Sequence, residues 1–84
     1  MKSKIKPNPI RKTVLTIISE HIGVDVKEIK DEDIFTEDLH MRATDLTDIV
    51  EKISQKGIDI TKIDFEKTTT VGDLIDTLII EEEF

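Results

Sequence analysis

The chain has 84 residues, a net charge of −7, equal 37% shares of charged and hydrophobic residues, and no cysteine. That length fits one small domain. The composition excludes a disulfide framework, a thiolate metal site and a thiol nucleophile, and no apolar run approaches the ~18 residues of a membrane span.

Charge is unevenly spread. Lys2, Lys4, Lys6, Arg11 and Lys12 precede every acidic residue of the chain. Residues 1–8 are expected to form a basic flexible arm, since Pro7 breaks regular structure and termini are commonly solvated. Arg11 and Lys12 interrupt the stretch before a usable apolar region forms, so no secretory signal is expected. The acidic remainder repels nucleic acid and anionic membrane and favours basic protein surfaces.

Asn8-Pro9 marks the first helix start, with Asn8 as N-cap and Pro9 at the first helical position. Ile10, Val14, Ile17, Ile18 and Ile22 follow helical spacing, and Gly23 is a natural stop. Residues 24–40 show no sustained period, and Val26, Ile29, Ile34, Phe35 and Leu39 are expected to pin this loop to the core. Leu46, Ile49, Val50 and Ile53 mark a second helix ending at Gly57. Residues 58–69 suit a loop with a short helical turn near Asp64–Lys67. Ile58–Ile63 alternates like a strand but has no partner strand. Thr70-Val71-Gly72-Asp73 is a capping box. Val71, Leu74, Ile75, Leu78 and Ile79 then give a third long helix. Glu81, Glu82 and Glu83 oppose the helix dipole and are expected to fray. The pattern predicts an all-α bundle of three long helices, one short helix and a long first loop.

Two ungapped blocks resemble acyl carrier proteins. In the first, Phe35, Glu37, Asp38, Leu39, Asp45 and Val50 match the family's prosthetic-group segment, and Asp48 and Ile49 are close replacements. In the second, Gly57, Ile58, Ile60, Asp64, Glu66, Lys67 and the run Thr69–Leu74 match. The resemblance covers roughly residues 9–80 and implies an acyl-carrier-like four-helix bundle, flanked by the arm and by an acidic tail at 81–84. It also implies a carrier of acyl chains on a phosphopantetheine arm, whose second helix presents acidic residues to basic patches on enzymes.

The departures cluster where that arm is attached. The family's serine falls on Ala43, and a methyl group cannot form the phosphodiester. His40 replaces a glycine, Arg42 an aspartate and Thr44 a leucine. Arg42 places positive charge at a helix start, at a cost of about 0.3–1 kcal/mol. Thr47 and Thr68 stand where the family has valine and isoleucine, and Phe65 where it has alanine. Together these imply a cavity no longer kept for an acyl chain.

Other chemistry finds little support. His21 lies at the edge of the apolar face of the first helix. His40 with Glu37 and Asp38 makes a weak metal site, and Asp31–Asp33 lacks the glycine of a calcium loop. Ser3, Ser19 and Ser54 have no fixed histidine partner for a nucleophilic triad. No phosphate-binding glycine loop is present. Arg42 at a helix start is a possible anion site.

The expectation is therefore a non-enzymatic, monomeric, cytoplasmic carrier-like protein with no metal and no attached phosphopantetheine. Glu37, Asp38, Asp45, Asp48, Glu51 and Asp64 are the candidate partner-binding residues, facing the basic surface of an acyl-transfer or synthase enzyme of fatty-acid or polyketide type. Two alternatives stand beside it. One is a genuine acyl carrier of lipid biosynthesis with its serine exchanged for alanine. The other is an unrelated acidic interaction module.

Overall fold

The computed structural model describes residues 9–82, with side-chain environments through Ile79. Three α-helices make the frame: α1 Pro9–Ile22, α2 Ala43–Gln55 and α3 Val71–Glu82. A short 3-10 helix, Val26–Glu28, lies in the long first connection. No strand is formed among the described residues; one isolated antiparallel bridge joins Ile34 to Thr70.

Helical periodicity sets the core. α1 buries Ile10, Val14, Ile17 and Ile18, and α2 buries Ile49, Val50 and Ile53. α3 buries Val71, Leu74, Ile75 and Leu78, so each helix turns one apolar stripe inward. Each fully buried Ile or Leu contributes about 1.5–3 kcal/mol relative to exposure. α1 packs against both α2 and α3, whereas α2 and α3 make no close backbone approach to each other. In the connection after α2, Ile58, Ile60 and Ile63 are half-buried against the core. This explains their alternation without a strand. Asp59 instead ties a local turn by accepting from the Thr61 N–H at 2.9 Å.

The termini of the helices follow local chemistry. Gly23, at φ 77°, ends α1, and its N–H donates to Ser19 O at 2.9 Å. The Thr70–Asp73 box is formed in both directions: Asp73 N–H donates to Thr70 Oγ1, and Thr70 N–H to Asp73 Oδ2, each at 3.1 Å. Asn8, expected to cap α1, lies outside the described residues, as do the basic arm 1–8 and residues 83–84.

One local expectation changes. Val26 is 37% exposed and does not anchor the first connection; Ile29 and Phe35 do so, with Ile34 and Leu39 half-buried. The turn expected near Asp64–Lys67 is present, closed by Lys67 N–H to Asp64 O at 3.0 Å. The α3 backbone is helical through Glu82.

A backbone stitch, unforeseen from the sequence, fixes the long first connection. Phe35 N–H donates to Thr69 O at 3.1 Å, Val71 N–H to Asp33 O at 3.0 Å, and Gly72 N–H to Asp31 O at 2.8 Å. A Cβ at position 72 would lie 3.2 Å from that Asp31 oxygen, so a side chain there would push the approach apart by a few tenths of an ångström. Arg11 reinforces the same segment from α1 by pairing its guanidinium with the Asp31 carboxylate.

Candidate functional site

The α2 start is shaped by the turn before it. Ile34 N–H donates to Asp38 Oδ2 at 2.7 Å, and Asp38 N–H returns to Ile34 O at 2.8 Å. His40 then takes φ 56°, a left-handed conformation that favours glycine. This reversal buries Met41, whose N–H donates to Phe35 O at 2.9 Å. Arg42 follows as the extended N-cap residue and Ala43 opens the helix.

Arg42 makes no side-chain cap. A guanidinium has donors only and cannot accept from the first-turn N–H groups. Asp45 supplies the return half of a box instead, its Oδ2 accepting from Arg42 N–H at 2.9 Å. Its Oδ1 lies 3.0 Å from His21 Nε2 on α1. That Arg42 N–H, followed by the His21 contact, holds the Asp45 carboxyl below the usual carboxylate range. Asp45 therefore fastens the α2 start to α1 as well as capping it.

The other acidic candidates divide by local bonding. Asp38 is tied to its own turn, and Asp64 Oδ1 accepts from Glu66 N–H at 3.0 Å. Glu37, Asp48 and Glu51 are exposed and make no ion pair with a described residue. Asp48 and Glu51 sit three residues apart on α2, on one side of the helix. Among the described residues, no three His, Asp or Glu side chains are placed to hold a metal ion. No described helix is long and apolar enough to cross a membrane.

A cleft of about 490 Å³ opens beside the α2 start. Phe35, Ala43, Leu46 and Phe65 give it apolar walls, and Arg42 is the only charged lining residue among the described residues. The departures at Thr47, Phe65 and Thr68 all line this cleft. Phe65 is 51% exposed, so its ring stands at the surface instead of filling the interior. Thr47 and Thr68 turn their hydroxyls onto nearby carbonyls, donating to Ala43 O at 3.1 Å and Asp64 O at 2.7 Å. Neither polar replacement leaves an unsatisfied hydroxyl in the wall.

Sequence reasoning missed two parts of this arrangement. The His21–Asp45 pair joins residues 24 positions apart, and only the boundary placement of His21 hinted at it. The roles of Thr36 and Thr69 in the cleft carried no sequence signal, because the stitch to the first connection places them there.

Comparison with known proteins agrees with the bundle. Residues 12–78 match a family model described as a phosphopantetheine attachment site. The chain is 38% identical over 63 residues to the acyl carrier protein of Chlamydia caviae, covering 74% of this chain and 82% of that protein. It is equally similar to the acyl carrier protein of Thermotoga maritima, again 38% over 63 residues, covering 74% of this chain and 78% of that one. A family match across most of the chain, joined to relatives of nearly the same length, means that the chain belongs to the acyl carrier protein family.

Proposed function

We propose that this chain is a carrier-like binding protein that bears no phosphopantetheine, and that it engages carrier-dependent enzymes through the acidic surface around α2. Members of its family are carriers rather than catalysts, and the chain is not an enzyme. The carrying observation is Ala43, the first residue of α2, where the family resemblance calls for the attachment serine. A phosphodiester needs a side-chain oxygen, and Ala43 has none. Thr44 offers a hydroxyl one residue later, but one helical step turns a side chain by ~100° about the axis. The residues present do not fit covalent attachment of the arm.

Glu37, Asp48 and Glu51 support the binding role, since no ion pair with a described residue occupies them. Asp38 and Asp64 are bonded within their own turns, while Asp45 mainly secures α2 to α1. The partner is a basic patch on an acyl-transfer or synthase enzyme of fatty-acid or polyketide type. The protein acts as a monomer in the cytoplasm, as a scaffold, regulator or decoy beside that enzyme.

Incubation with a phosphopantetheinyl transferase and coenzyme A tests the reading by intact mass. No mass change is expected. A phosphopantetheine increment, mapped to Thr44 or any other residue, would overturn it. The rival reading, a working carrier with only its serine exchanged, predicts that Ala43→Ser alone restores rapid modification. We expect the single change to be modified poorly and the combination of His40→Gly, Arg42→Asp and Ala43→Ser to do better.

A further inference from the structure

We infer that the hollow between the start of α1 and the end of α2 is a second docking surface, a cationic groove for a short acidic peptide segment of a partner protein. Its charge is opposite to that of the acidic α2 surface, so its partner chemistry is opposite too. Its test needs neither a carrier-dependent enzyme nor the mass assay.

α1 and α2 run antiparallel. The last turn of α1 meets the first turn of α2 through His21 and Asp45, and the first half of α1 lies beside Lys56, the C-cap residue of α2. Two adjoining hollows open there, of about 260 and 270 Å³, and Thr13 and Lys56 line both. Lys12, Thr16 and Glu20 recur every fourth residue of α1, so they form one ridge along the first hollow. Ile58 adds apolar surface to the second.

The polar groups of this groove are not spent inside the fold. Lys12 and Lys56 are exposed and make no ion pair with a described residue. The half-buried Thr13 and Thr16 hydroxyls make no hydrogen bond with a described residue. Thr47, Thr68 and Thr77 behave differently, each donating to the carbonyl four residues back. The groove therefore presents two ammonium groups for carboxylates and two hydroxyls that can donate to or accept from peptide groups.

The same features select the occupant. Glu20 stands at the end of the ridge away from Lys12 and repels any anion long enough to reach it, so the groove suits one carboxylate for each ammonium rather than a polyanion. A chain of net charge −7 repels phosphate polymers as a whole. Neither Phe35 nor Phe65 lines the groove to stack a base. The large hydrophobics exposed among the described residues, Val26 and Phe65, lie outside it, so no apolar anchor for a lipid surface is placed there.

The test is a ¹H–¹⁵N NMR titration of the full chain at pH 7 with an acetylated and amidated Glu-Ile-Glu peptide. Saturable shifts are expected at the amides of Lys12, Thr13, Thr16, Lys56 and Gly57, and the Gln-Ile-Gln peptide should bind about tenfold more weakly. Lys12→Gln combined with Lys56→Gln should weaken the acidic peptide about tenfold, the scale of two exposed ion pairs. Lys27→Gln with Lys30→Gln removes the same charge elsewhere and should change binding by less than about twofold. Thr13→Val with Thr16→Val should weaken it about threefold, and Glu20→Gln should strengthen it about twofold. Equal losses from the two lysine pairs would overturn the proposal, as would equal binding of the two peptides. A loss that follows Lys2, Lys4 and Lys6 to Gln, and not Lys12 and Lys56, would move binding to the N-terminal arm and sink the groove. Phosphatidylserine vesicles or a single-stranded oligonucleotide that shifted the same amides at lower concentration than the peptide would likewise overturn the peptide assignment.

Discussion

His40 shows how one side chain can carry a conformational cost. Its φ of 56° is left-handed, and its side chain is exposed, so no packing recovers the expense. A non-glycine residue there is disfavoured by about 1–2 kcal/mol, and glycine's greater freedom in the unfolded chain offsets about 0.4–1 kcal/mol. We expect His40→Gly to stabilise the fold by about 0.5–1 kcal/mol, seen as a higher urea midpoint at unchanged slope. A lower midpoint would mean that the imidazole makes a stabilising contact. Two residues later, Arg42 departs from local helix chemistry in a similar way, being an N-cap residue that cannot cap. Departures of this kind concentrate where a site trades local stability for another role.

The α3 start illustrates the opposite case, an element whose end agrees with its sequence. Thr70→Ala removes the Oγ1 that accepts from Asp73 N–H, and should cost about 0.5–2 kcal/mol in chemical denaturation. A cost near zero would show that water replaces the hydroxyl. The reciprocal carboxylate titrates. Asp73 is held below its ordinary value of 3.8, first by Thr70 N–H and then by Thr69 N–H. A depressed carboxyl pKa contributes stability above the unfolded value and loses it as pH falls through the folded value. The stability gap between the native chain and Asp73→Asn should therefore hold at pH 5–7, begin to shrink as pH falls past 3.8, and close once pH is below the depressed folded value. A gap that persisted at pH 2 would mean that geometry, not charge, distinguishes the two side chains. Asp45 follows the same sign, with Arg42 N–H as its first cause.

At the scale of the whole molecule, charge governs encounter. The chain carries −7, and Asp48 and Glu51 extend that charge along one side of α2. Reversing both to lysine should slow association with a carrier-dependent enzyme and flatten its salt dependence, with a smaller effect on dissociation. Surface plasmon resonance at two ionic strengths would measure this. Reversal at Glu81 and Glu82, at the far end of α3, should matter less at physiological salt, where the screening length is ~8 Å. Equal losses from both pairs would mean that net charge alone drives association and that α2 holds no preferred surface.

Much of this molecule was legible along the chain because helices are local. Ile10 to Ile22, Leu46 to Ile53 and Val71 to Ile79 repeat at helical spacing, Gly23 marks the α1 stop, and Thr70 with Asp73 mark the α3 start. Those features depend on neighbours within about four residues, so the sequence alone determined three helices and which faces they bury. It also carried the two blocks that pointed to the family. The site was less legible because its parts come from distant segments. Only the tertiary structure joined His21 to Asp45, stitched Asp31–Phe35 to Thr69–Gly72, and left Val26 in solvent. It also decided the cleft. Residue types at Thr47, Phe65 and Thr68 implied a cavity no longer kept for an acyl chain, and only the structure folds two hydroxyls back on carbonyls and stands the ring at the surface. Whether a side chain fills a space depends on its direction and its hydrogen-bond partners, and both are set by segments that meet only when the bundle closes.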